Sequence, residues 1–178
     1  SNLMEHIKVI LLIASFLFPL ALSIALLVDS KKNLSRKIMA VVLLNTSIIF
    51  ILNYLYFEQL YSLYLPFHSL HAASEFMVFP VIYIYMKSVV LPRNKLINEV
   101  WHLLPGLIMF LLASYIFYIY TSREDLEFFL RKNREGYEFS DFKFTVLIVS
   151  RYIDLGLLAI QALLYSIAYM KSPKDYTD

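Results

Sequence analysis

Between Tyr61 and Val90 the chain reads YSLYLPFHSLHAASEFMVFPVIYIYMKSVV. The segment is long and apolar enough to cross a bilayer, yet its first half carries two histidines and a glutamate. His68, His71 and Glu75 stand at i, i+3 and i+7, so a helix places all three on one face. Hydrocarbon is a costly neighbour for that face, which must therefore look into protein or water. The remaining long segments read as the wall around it.

That wall is legible in blocks. Val9 to Val28 and Ile38 to Phe57 are each twenty residues without a formal charge, and Val100 to Tyr120 is twenty-one with His102 neutral. At about 1.5 Å per residue, some twenty apolar residues match a hydrocarbon core of roughly 30 Å. The whole chain of 178 residues is 60% hydrophobic and 17% charged, against roughly half and about a quarter in soluble domains. The expected fold is an all-α integral membrane bundle of about five spans, near 7–28, 38–57, 61–90, 100–120 and 144–170, forming one domain. The lipid bilayer is its first partner. Block one is too long for the apolar core of a signal peptide and runs into Asp29-Ser30-Lys31-Lys32, so it reads as a retained span. Ser1 and Asn2 read as additions ahead of a start at Met4.

Several functions are disfavoured by composition. Cysteine is absent, which removes disulfides, thiolate metal sites and thiol nucleophiles. A net charge of +2 gives no nucleic-acid surface. Three glycines leave little for a phosphate-cradling loop, and no nucleophile elbow or dinucleotide fingerprint occurs. The chain reads as non-enzymatic, without cofactor or metal.

Along the chain, Pro19 predicts a kink in the first span, and Pro66 and Pro80 predict a bent third span with a distorted start. Glu58 to Leu60 is a tight turn, so spans two and three form an antiparallel hairpin. Pro105-Gly106 loosens the start of span four. Ser122, with Asp125 three residues on, resembles a capping box. Leu126, Phe129 and Leu130 follow at helical spacing, which predicts a short interfacial helix in the 121–143 loop, ending near 133–136. Loop one holds Lys31, Lys32, Arg36 and Lys37, loop three Lys87, Arg93 and Lys95, and the tail Lys171 and Lys174. These share one side of a five-span bundle. The positive-inside rule then puts the N-terminus outside and the C-terminus in the cytoplasm, in a bacterial inner membrane. Arg123, Arg131, Lys132, Arg134 and Lys143 on the other side are interleaved with six acids.

The candidate sensing residues are the costly polar ones: His68, His71, Glu75, Arg151, Asp154, Gln161, Asn45 and Asn53. Arg151 and Asp154, three apart, can pair on one helix. Alternatively they face the histidines and Glu75 across the bundle, as a ligand- or pH-responsive cluster. Asn45, Asn53 and Gln161 are the residue types that hydrogen-bond between helices. Two histidines and a carboxylate from one helix make at most three metal ligands, too few to favour a metal site.

Four stretches carry a resemblance. They are Phe79-Pro80-Val81-Ile82-Tyr83-Ile84-Tyr85-Met86-Lys87-Ser88, His102-Leu103-Leu104-Pro105, Arg36-Lys37-Ile38-Met39-Ala40 and Lys174-Asp175-Tyr176. In order and spacing the chain resembles the N-terminal membrane region of bacterial membrane-bound AraC-type helix-turn-helix transcriptional regulators. The resemblance implies a sensory, signal-transducing membrane domain that receives an unknown small-molecule or membrane signal and leaves room for a homodimer. DNA would be reached only through a downstream domain absent from these residues. The other readings are a small proton-coupled transporter and the membrane input domain of a histidine kinase.

Overall fold

The computed structural model describes residues 2–29, 33–91 and 93–171. Among the described residues 91% are helical and none is in a strand. Six helices follow in order: α1 Asn2–Asp29, α2 Leu34–Phe57, α3 Tyr61–Val90, α4 Ile97–Tyr120, α5 Arg123–Arg134 and α6 Phe142–Lys171. A single turn, Arg93–Leu96, precedes α4. All but α5 are long and apolar enough to cross a membrane. In α1 and α6 only 11% of the most apolar window is buried inside the protein, which leaves a continuous outward apolar surface. Lys31, Lys32, Pro92 and the tail motif Lys174-Asp175-Tyr176 lie outside the described residues.

The centre of the bundle is α3, against which α2, α4 and α6 all pack, while α1 lies on α2. Small polar side chains close the outer pair. Ser23 Oγ donates to the Ala40 carbonyl at 2.7 Å, and Ser47 Oγ to the Phe16 carbonyl at 2.7 Å. With Ala40 fully buried, the two backbones approach closely, as membrane helices do where residues are small.

Prolines shape α3 and α4 as their chemistry demands. Around Pro66, Leu65–Phe67 tightens into a 3₁₀ turn between the helical Tyr61–Tyr64 and His68–Val90. A proline nitrogen offers no proton to the carbonyl four residues back. For Pro66 that carbonyl belongs to Ser62, and Arg123 Nη2 reaches it from α5 at 3.1 Å. For Pro80 it belongs to Phe76, and Gln161 Nε2 reaches it from α6 at 3.0 Å. Ahead of Pro105, Ile97–Leu103 is 3₁₀ and the α-helical stretch begins at Leu104. At Gly106 a Cβ would sit 2.7 Å from Met77 Cγ, Sδ and Cε, so α4 rides against α3 where the side chain is missing.

The α2–α3 turn is a Schellman motif. Leu60 N–H bonds the Leu55 carbonyl at 2.9 Å, Gln59 N–H bonds that of Tyr56 at 3.2 Å, and Gln59 takes φ 59°. Helix α5 starts where its cap predicts, Ser122 Oγ accepting from Asp125 N–H at 3.1 Å. Its apolar stripe turns into the protein: Leu126, Phe129 and Leu130 join Tyr61, Tyr64, Phe144 and Leu147 in the core at that end of the bundle. Arg134 Nη1 caps the exposed Phe57 carbonyl of α2 at 2.8 Å. Helix α5 is therefore a plug over one end of the bundle, held by its core face and by two arginines.

Candidate functional site

One cavity of about 190 Å³ gathers most of the predicted polar residues. Asn53 comes from α2, His68, His71 and Glu75 from α3, and Arg151 and Asp154 from α6. Phe117 of α4 and Phe129 and Leu130 of α5 complete the wall. The i, i+3, i+7 spacing sets the α3 face, and the three-residue step from Arg151 to Asp154 sets that of α6.

Inside, Tyr64 Oη lies 2.8 Å from His71 Nδ1, and both residues are buried. His71 Nε2 is 3.5 Å from Glu75 Oε1 and has no hydrogen-bond partner among the described residues. His68 stacks on Phe117 with ring centroids 3.8 Å apart, and its buried Nδ1 is also unpartnered. Phe117 sits in the π-helical turn Tyr115–Tyr120 that ends α4, an irregularity common at functional sites. The next residue, Tyr118, brings its hydroxyl to the Leu65 and Pro66 carbonyls at 3.0 and 3.1 Å and accepts from Ser69 Oγ at 3.2 Å. The π turn thus brings the Tyr118 hydroxyl to the distorted start of α3 and seats Phe117 on His68.

Arg151 does not pair with Asp154. It extends to α2, where Nη1 meets Tyr56 Oη at 3.3 Å and the guanidinium lies 5.8 Å from the centre of the Tyr56 ring. Asp154 faces the cavity with neither hydrogen bond nor ion pair among the described residues. No group of three His, Asp or Glu among the described residues converges well enough to hold a metal ion.

The other two candidates bond backbone. Asn45 Nδ2 donates to the Ser74 carbonyl at 2.9 Å, tying α2 to α3, and Gln161 ties α6 to α3 through Phe76. Both lie away from the cavity.

Sequence reasoning missed the aromatic half of the site. Tyr56, Tyr64 and Phe117 hold Arg151, His71 and His68, but aromatics this abundant carry no signal until the fold pairs them. It also missed a second recess of about 520 Å³ between α4 and α6, apolar apart from Gln161 and a His102–Tyr165 hydrogen bond of 2.7 Å.

Comparison with protein-family models, curated proteins and solved structures returned no match.

Proposed function

We propose that this chain is a membrane-embedded, signal-receiving domain of a membrane-bound transcriptional regulator of the AraC type, with no catalytic activity of its own. It sits in a bacterial cytoplasmic membrane, N-terminus outside, and acts on DNA only through a domain beyond these residues. The observation that carries the reading is that costly ionisable groups of α3 and α6 share a cavity whose end wall is α5. Occupying or recharging that cavity changes the contacts of Phe129 and Leu130, and so biases the plug relative to the bundle. The resemblance of the Phe79–Ser88 and His102–Pro105 stretches to regulators of this kind supports the same output. Orientation rests on the lysines and arginines at the end opposite α5.

Hydrogen exchange over 123–134 tests the coupling without any ligand. Glu75→Gln removes a carboxyl group from the cavity while keeping its shape. The reading expects exchange in α5 to change while α1 and α2 exchange as before. Unchanged α5 exchange in a folded variant would remove the transduction step.

A further inference from the structure

Taking the cavity as the receiving site, its chemistry narrows what it receives. Its one arginine is drawn to α2, where Arg151 donates to Tyr56 Oη and lies over the Tyr56 ring. Its two carboxyl groups have no such partner: Asp154 has no hydrogen bond or ion pair among the described residues, and Glu75 reaches only His71 Nε2, at 3.5 Å. His71 is 8% exposed, lines the cavity and leaves that nitrogen unpartnered. In the tautomer that donates Nδ1–H to Tyr64 Oη, Nε2 presents a lone pair, an acceptor for an incoming N–H. Tyr64 and Phe117 add aromatic walls. The lining thus sets two carboxyl groups against one arginine, and the excess is acidic.

We infer that the cavity takes a small organic monocation, an alkyl- or arylalkylammonium. The ammonium meets Glu75, Asp154 and His71 Nε2, and the apolar body lies against Phe117. Size agrees: the volume of about 190 Å³ exceeds the roughly 150 Å³ that accommodates a benzene ring, which leaves room for a short amine arm. A carboxylate of the same bulk would meet two carboxyl groups and an arginine already held by α2.

The test is calorimetric titration of the full chain in phosphatidylcholine nanodiscs with three probes of one shape: phenethylammonium, 2-phenylethanol and 3-phenylpropionate. Saturable binding of phenethylammonium alone is expected, about tenfold weaker in Asp154→Asn. Where that variant does not fold, Ser150→Leu fills the cavity from α6 and is expected to abolish the same binding. Saturation by 3-phenylpropionate alone would overturn the charge assignment and make Arg151 the ligand partner. Saturation by none, or equal binding by all three, would overturn the ligand class. Neither failure touches the ligand-free exchange test, on which the receiver reading itself stands.

Discussion

Gln161 of α6 donates Nε2 to the Phe76 carbonyl of α3 at 3.0 Å, and that carbonyl is the one Pro80 leaves without a donor in its own helix. A local defect and a long-range contact are thus the same feature. Interhelical hydrogen bonds of this kind contribute about 1 kcal/mol in membrane bundles. Gln161→Leu is expected to destabilise by about that much, read as a lower Tm in micelles. In a Pro80→Ala background, where residue 80 supplies its own N–H, the loss should shrink towards zero. An unchanged loss in the double-mutant cycle would separate Gln161 from the proline.

Gly106 of α4 lies close against Met77 of α3. A methyl group there overlaps Met77 from Cγ outward, at 2.7 Å. Gly106→Ala should therefore cost about 1–3 kcal/mol, the range of overpacked cores. Met77→Ala removes the obstacle, so the combined variant should lose less than the sum of the two. Additivity in thermal unfolding would contradict the contact.

Gln59 holds the left-handed position of the α2–α3 turn, at φ 59°. An L side chain there costs roughly 1–2 kcal/mol that glycine avoids, less glycine's greater chain entropy. Gln59→Gly is expected to stabilise by about 1 kcal/mol, while Gln59→Val should destabilise. Equal Tm values for all three forms would mean the turn does not adopt the Schellman geometry.

Acid should loosen the α5 plug. Lys143 Nζ lies 2.8 Å from Asp125 Oδ2, and this hydrogen bond, with that of Ser122, holds the Asp125 carboxyl below its ordinary value. A carboxyl depressed in the fold stabilises above its unfolded pKa of about 3.9, and loses that contribution as pH falls through the lowered value. Exchange of α5 amides should rise as pH drops from 5 towards 2, after correction for intrinsic rates. Asp125→Asn should flatten that response. The pair is partly exposed, so added salt should weaken the effect.

Much of the fold was legible because apolar length is a one-dimensional signal. The uncharged blocks 9–28 and 38–57 lie within α1 and α2, and Ser122 begins α5 as a cap should. Boundaries shifted where the last polar turns stayed helical: α2 starts at Leu34 and α6 at Phe142. The polar face of α3 was legible from spacing, and its meeting with Arg151 and Asp154 from the cost of leaving those groups in hydrocarbon. Pairings decided by three-dimensional approach were not. Nothing near Arg151 distinguishes Asp154, three residues away, from Tyr56 on another helix. The apolar stripe of α5 reads from the sequence as an interfacial face, and it turns into the protein because Tyr61, Tyr64 and Phe144 stand across from it. The π turn at Tyr115–Tyr120 has no sequence cue of its own.

As the proposed receiver, the cavity of α3 and α6 binds a signal and passes no protons across the membrane. The most direct measurement is proton flux into proteoliposomes under an imposed pH gradient, followed with an internal pH dye. The expected rate equals that of empty liposomes, the same for the wild-type chain and for Glu75→Gln. A flux above that background, abolished by Glu75→Gln or Asp154→Asn in folded protein, would contradict it and make the cavity part of a transport path.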